Sequence, residues 1–228
     1  LTAPLVFMGA VAKQILAQRG IYVGAHIAEV AGVKDTPFNP LGESADTFSE
    51  LAQKTFPVLD DAAGNEMQQL ILAAKQSCDS VGGVIECMAI NLPAGIGAPF
   101  FDSLESRLAH ALFSVPAVKG IEFGKGFALS QMTGSEANDQ MYYDNGVVKT
   151  YTNNNGGITN GMPVLFKAAV KPTPSIAKVQ KTVDLSTESN TELVITGRHD
   201  PCIVQRAVPV IEGVAAWVIL DMLLAGEK

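Results

Sequence analysis

Arg198, His199 and Asp200 stand side by side just ahead of Pro201 and a long apolar stretch. Aspartate is a favoured N-cap and proline is favoured at the first helical position, so Asp200 and Pro201 predict a helix over about 201–224. A helix N-terminus also favours a bound anion, and an arginine can hold a phosphate or carboxylate through two parallel hydrogen bonds. The two interpretations are compatible, because an N-cap aspartate can also face a ligand that Arg198 binds.

A second candidate is the stretch KPTPSI, residues 171–176. Its two prolines stiffen an extended chain, and alternation along that chain sets Lys171, Thr173 and Ser175 on one side as hydrogen-bond donors. Such a track can line an anion or a planar ring that carries carbonyl groups. An edge strand protected by prolines explains the same residues equally well.

The loop TNNNGGITNGMP, residues 152–163, is the third candidate. Asparagine and glycine tolerate left-handed conformations and let backbone amides approach a ligand closely, although a plain connecting loop has the same composition. His26 falls in a predicted strand and His110 in a predicted helix, without partners at metal-ligand spacing. We therefore predict no metal site and expect both histidines to be structural.

Composition narrows the class of protein. The 228 residues are 47% hydrophobic and carry a net charge of −7 without any lysine or arginine run, so nucleic acid and anionic lipid are poor partners. Cys78, Cys87 and Cys202 lack CxxC spacing, which favours a reducing compartment and predicts a cytoplasmic protein. The apolar N-terminal stretch has no preceding basic residue and is interrupted by Lys13, so we expect neither an export signal nor a membrane span.

Periodicity and turn residues predict an α+β layered fold with antiparallel sheets, because strands and helices alternate irregularly and no glycine-rich phosphate loop follows a strand. We expect residues 1–228 to form one domain. Asn145-Gly146 predicts a hairpin within 142–151. The predicted helices cover about 3–18, 44–54, 64–78, 102–114 with Asp102 as N-cap, and 201–224; the predicted strands cover 21–32, 84–92, 117–124, 164–170, 175–184 and 191–196.

One internal similarity links the two ends of the chain. Aligning 3–16 with 207–220 matches six residues, including Gly9 with Gly213, and both segments look like buried helices. Shared helix-core composition and a duplicated α+β unit both explain these matches.

Seven segments of the chain occur in the order found in one known family: LTAPLVFMGAVAKQIL, DSVGG, FDSLESRLAHALFSVPAVKGIEFGKGF, GSEANDQM, GGITNGMP, KPTPSI and GRHDPCIVQRAVPVIEGVAAWVILDMLL. Through them the sequence resembles chorismate synthase over nearly its whole length. The resemblance implies a lyase of the shikimate pathway that converts 5-enolpyruvylshikimate-3-phosphate to chorismate with loss of phosphate, using reduced FMN. It also implies a β-α-β sandwich, with antiparallel sheets around a helical layer, and a homotetramer.

The resemblance implies roles for the candidate residues. Asp200 would receive the proton from flavin N5, and Arg198 would hold an anionic group of flavin or substrate. The residues that match the family's flavin contacts are Pro116, Ala117, Gly156, Lys171, Pro172, Thr173, Pro174 and Ser175. An N-cap position lowers the basicity of a carboxylate, so the two roles of Asp200 pull in opposite directions.

Two departures from the family pattern matter. The family's first third, with two catalytic histidines and most substrate-binding arginines, has no counterpart here, so we expect a sandwich that is incomplete and no turnover by this chain alone. The loop at 152–160 has one Gly-Gly-Ile where the family usually has a doubled pattern, which weakens the match of Gly156. A non-catalytic flavin- or anion-binding module and an oligomerisation domain are the alternatives.

Overall fold

A computed structural model describes residues 1–154 and 157–226. The helices are α1 (Ala3–Gln18), α2 (Ala45–Gln53), α3 (Asp61–Gln76), α4 (Leu104–Phe113), the short α5 (Gly134–Ala137) and α6 (Val204–Gly226). The strands are β1 (Tyr22–Val30), β2 (Val33–Lys34), β3 (Gly83–Ile90), β4 (Val118–Phe123), β5 (Met141–Asp144), β6 (Val147–Thr150), β7 (Val164–Val170), β8 (Gln180–Asp184) and β9 (Ser189–Leu193).

A five-stranded antiparallel sheet in the order β2-β1-β3-β7-β4 forms the centre of the fold. Successive side chains of a strand point to opposite faces, so each strand contributes to two environments. One face of β1 and β3, with Ile27 and Ile85, packs on helices, while Met88 and Ile90 join Phe48 of α2 on the other face. β5–β6 and β8–β9 form two separate hairpins.

The helical layer consists mainly of α1, α4 and α6 on one face of this sheet. α6 is 23 residues long, and an 18-residue window within it has a mean hydropathy of 1.9, values that would also suit a membrane span. Here the apolarity reflects burial, because Leu108 and Leu112 of α4 and Ile211 and Ile219 of α6 are at most 1% exposed in the shared core. The predicted α+β class with antiparallel sheets is therefore confirmed.

The two similar end segments cross each other as helices α1 and α6. A Cβ atom added to Gly9 would lie 2.2 Å from the Gly213 Cα atom, so the two matched glycines form the closest point of the crossing. Only α6 is the buried helix we predicted, because α1 leaves Phe7 and Val11 exposed on its far side. That exposed face agrees with the expectation of an incomplete sandwich.

Most predicted elements are confirmed, and the corrections concern their ends. The N-cap of α4 is Ser103, whose hydroxyl accepts from the Ser106 N–H at 3.1 Å, and not Asp102. The strand predicted over 175–184 is confined to β8, and α6 begins at Val204, three residues later than Pro201. These errors share a cause, since local patterns place the centre of an element better than its first residue.

Candidate functional site

The 171–176 stretch leaves the end of β7 beside the turn between α4 and β4. The Lys171 N–H donates to the Ala117 carbonyl oxygen at 2.9 Å, which brings two of the predicted flavin-contacting positions together. Ala117 has a φ of 74°, in the left-handed region that residues other than glycine occupy rarely, and exposed Pro116 precedes it. The stretch is not a strand, so the structure contradicts the edge-strand interpretation.

A third segment, residues 80–83, joins the proline stretch to the Arg-His-Asp-Pro segment. The Ser80 hydroxyl donates to the Thr173 carbonyl at 2.6 Å, and the Val81 N–H donates to the Pro201 carbonyl at 2.8 Å. A Cβ atom at Gly82 would lie 2.5 Å from the Val170 carbonyl oxygen, a distance that real Cβ atoms do not reach. Glycine is therefore required at position 82 for the segments to meet.

The proline stretch and the Arg-His-Asp-Pro segment also touch directly. The Ser175 Oγ atom lies 3.0 Å from Nδ1 of His199, and Nε2 of the same ring lies 3.0 Å from the Ile195 carbonyl oxygen. Ser175 and His199 are both half-buried. The structure thus brings 116–117, 171–175 and 198–201 into one cluster, as the sequence interpretation required.

The chemistry at Asp200 differs from the prediction. Because α6 begins at Val204, Asp200 lies four residues before the helix and does not cap it, so its proposed roles as cap and base do not conflict. Its carboxylate instead forms an ion pair with Arg206 in the first turn of α6, with both side chains about half exposed or more. Within residues 1–154 and 157–226, no carboxylate lies within ion-pair distance of Arg198, whose side chain is exposed and available to an anion.

One polar atom of the cluster is left over. The Thr173 Oγ1 atom is buried, and in the part of the chain that the structure describes it has no hydrogen-bond partner. A buried hydroxyl without a partner costs about 1–3 kcal/mol, so such atoms in native proteins need an explanation. Its position inside the predicted ligand track makes a ligand the simplest one.

The described flank of the glycine loop lies away from this cluster. Gly156 lies outside the described residues, but the carbonyl of its neighbour Gly157 accepts from the Leu104 N–H at 2.6 Å. Leu104 begins α4, whereas Ala117 follows its other end, and a ten-residue helix is about 15 Å long. The loop flank and the cluster therefore lie at opposite ends of α4.

A separate polar cluster lies on the sheet face away from the helical layer. Nδ1 of His26 lies 2.9 Å from an Asp35 carboxyl oxygen and Nε2 lies 3.0 Å from a Glu86 carboxyl oxygen, and all three side chains are almost fully buried. Burial lowers the pKa of His26, but the hydrogen bonds to Asp35 and Glu86 outweigh it and the net pKa is raised. Asp35 also accepts from the backbone N–H groups of Leu59 and Asp60, so His26 is the structural residue we predicted.

Three residues of the site were not predicted from the sequence. Ser80, His199 and Arg206 had no assigned role, because their partners are far away in the chain or in irregular loops. His199 alone carried a signal, its place between an arginine and an aspartate, but nothing in the sequence indicates that its ring faces Ser175.

Comparisons with known proteins agree on one family. The family model described as chorismate synthase matches residues 1–224. A chorismate synthase of Dehalococcoides mccartyi is 43% identical over 98% of this chain and 62% of its own length, and one of Thermococcus gammatolerans is 44% identical over 98% and 62%. A crystal structure of chorismate synthase matches with a TM-score of 0.79 at 26% identity, covering 99% of this chain and 63% of that one. The chain thus spans about three fifths of the length of these relatives.

Proposed function

Because this chain belongs to the chorismate synthase family, we propose that it is part of an enzyme that converts 5-enolpyruvylshikimate-3-phosphate to chorismate by 1,4-anti elimination of phosphate. The observation that carries the proposal is the convergence of residues 116–117, 171–175 and 198–201 through direct hydrogen bonds. The relatives are longer than this chain, so we assign turnover to a longer protein and flavin contacts to the part described here.

The residues present fit reduced FMN. Arg198 is an exposed guanidinium suited to a phosphate or carboxylate. The buried Thr173 hydroxyl has no hydrogen-bond partner among the described residues, and a ring carbonyl can supply one. The stretch 171–175 and the turn at Pro116 and Ala117 would hold the flavin ring. The loop that contains Gly156 would contact the flavin only if it came from another subunit of the assembly. Reduced FMN, when bound, supplies electron density transiently without net redox change.

The chain's own groups then perform binding and proton transfer. The Asp200 carboxylate accepts the proton that the elimination removes from the substrate ring. The ion pair with Arg206 holds this carboxylate on the side of the cluster where the 198–201 segment meets α6. Arg198 binds the anionic group, which orients ligand against Asp200. We further propose a homotetramer in the cytoplasm, with residues 1–228 as one domain of the longer chain.

Anaerobic titration of this chain with reduced FMN tests the binding part. Arg198→Ala should weaken binding about 10-fold or more, because a hydrogen bond to a charged group contributes about 1.5–3 kcal/mol. Arg107→Ala is the matched control, since Arg107 is also exposed but pairs with Asp102 and Asp221 elsewhere. Equal affinity of both variants would contradict the assignment of Arg198.

The catalytic part needs the longer protein. Asp200→Asn should lower kcat by about 100-fold or more, in the range typical of a lost acid–base group, whereas Asp221→Asn should leave it unchanged. A longer protein that contains these residues and forms no chorismate from 5-enolpyruvylshikimate-3-phosphate would refute the proposed function.

A further inference from the structure

The histidine that joins the two site segments has a defined hydrogen-bond polarity. Nε2 of His199 faces the Ile195 carbonyl oxygen at 3.0 Å, and a carbonyl oxygen only accepts, so Nε2 carries the hydrogen. In a neutral imidazole the other ring nitrogen is then an acceptor. Ser175 Oγ, 3.0 Å from Nδ1, must therefore donate its hydroxyl hydrogen to the ring.

We infer that His199 is a positioning residue that commits the Ser175 hydroxyl hydrogen to itself, so that Ser175 offers only acceptor lone pairs to a ligand. The identity of that ligand as a flavin rests on the proposed function, but the polarity does not. A serine without such a partner rotates its hydroxyl freely and suits donors and acceptors equally. Here the ligand group next to Ser175 must be an N–H or O–H donor.

Thr173, two residues before Ser175, adds a hydrogen-bond donor for the same ligand. Its Oγ1 atom is buried without a partner in the described residues, so its hydroxyl hydrogen is free to donate to a ligand carbonyl. Thr173 and Ser175 are separated by one residue, Pro174, so a free donor and a fixed acceptor lie close together in the same stretch. The pair suits a planar ring whose edge carries both C=O and N–H groups, the chemistry of an imide.

Nuclear magnetic resonance of the unliganded chain tests the polarity directly. In protein labelled with ¹⁵N histidine, long-range ¹H–¹⁵N spectra report the tautomer of each ring, and His199→Asn assigns the His199 signals. We expect the Nε2–H tautomer for His199, and a shift of its Nδ1 resonance in Ser175→Ala that is absent for the control His110. An Nδ1–H tautomer, or an Nδ1 resonance that Ser175→Ala leaves unchanged, would overturn the inference.

A rescue pair separates positioning from general structural support. In His199→Asn the side-chain oxygen can still accept the Ser175 hydrogen, whereas His199→Phe fills the space without an acceptor. Reduced FMN should bind His199→Phe about 3- to 10-fold more weakly than wild type and His199→Asn within about twofold, as expected for one neutral hydrogen bond. Equal weakening by both variants, with unchanged circular dichroism, would also overturn it.

Failure of the proposed function gives a different result. Wild-type protein that shows the Nε2–H tautomer but does not bind reduced FMN would refute flavin binding while supporting the role of His199.

Discussion

The crossing of α1 and α6 allows a test by substitution, because Gly9 and Gly213 occupy matching positions in the sequence alignment but have different space around them. A Cβ atom at Gly9 would lie 2.2 Å from the Gly213 Cα atom and 2.7 Å from its carbonyl carbon, all rigid backbone. A Cβ atom at Gly213 would meet nothing closer than 3.4 Å, which is ordinary van der Waals contact. Alanine at Gly9 therefore forces the helices apart by about 1 Å, and alanine at Gly213 does not.

The free energies follow from two opposing effects. Alanine in a helix interior is favoured over glycine by about 1 kcal/mol at either position. Overpacking of a dense core typically costs about 1–3 kcal/mol, and separating two helices along their length lies at the upper end. We expect Gly9→Ala to lower the free energy of unfolding by about 2 kcal/mol and Gly213→Ala to raise it by up to about 1 kcal/mol.

Urea unfolding followed by circular dichroism measures both variants against wild type. Unchanged m-values with opposite shifts of the urea midpoint would support the geometry, because the same substitution then differs in effect only through the room available for the added methyl group. If Gly9→Ala is as stable as Gly213→Ala, the close approach of the two helices is wrong.

Three further predictions concern stability. Because the pKa of His26 is raised, its contribution to the free energy of unfolding is complete below its unfolded pKa of about 6.5 and is lost as pH rises through the higher folded value. Urea titrations between about pH 6 and 9 should show this fall in stability. A His26→Gln variant whose stability falls with pH at the same rate would contradict it. Ser44→Ala should cost about 1 kcal/mol and Ser44→Gly only a few tenths, because the Ser44 hydroxyl accepts from the Thr47 N–H at 3.0 Å; equal losses of melting temperature would argue against capping. Pro209→Ala should raise the free energy of unfolding by about 1–2 kcal/mol, since Pro209 lies inside α6 where proline lacks the N–H that a helix needs; thermal unfolding below wild type would refute this.

Elements with strong local patterns could be predicted closely. Strand β7 has the bounds 164–170 that we predicted, and the Asn145-Gly146 hairpin forms as β5 and β6. The first residue of α6 could not be predicted, because Asp200 is a good N-cap by residue type but pairs instead with Arg206. Ion pairs and loop hydrogen bonds of this kind compete with local preference, and the outcome depends on where α6 packs.

The candidate site shows the same division. The residue types of 171–176 and 198–201 predict a ligand track and an anion-binding arginine, because proline stiffness and guanidinium chemistry belong to the residues themselves, and both stay predictions. The sequence also determined the α+β class, through the periods of its apolar residues. Only the tertiary structure decided that Ser175 meets His199, that Gly82 lets the segments touch, and that the Gly156 loop flank lies at the other end of α4. Contacts between residues distant in the chain depend on how the helices and the sheet pack, and no local pattern records that packing.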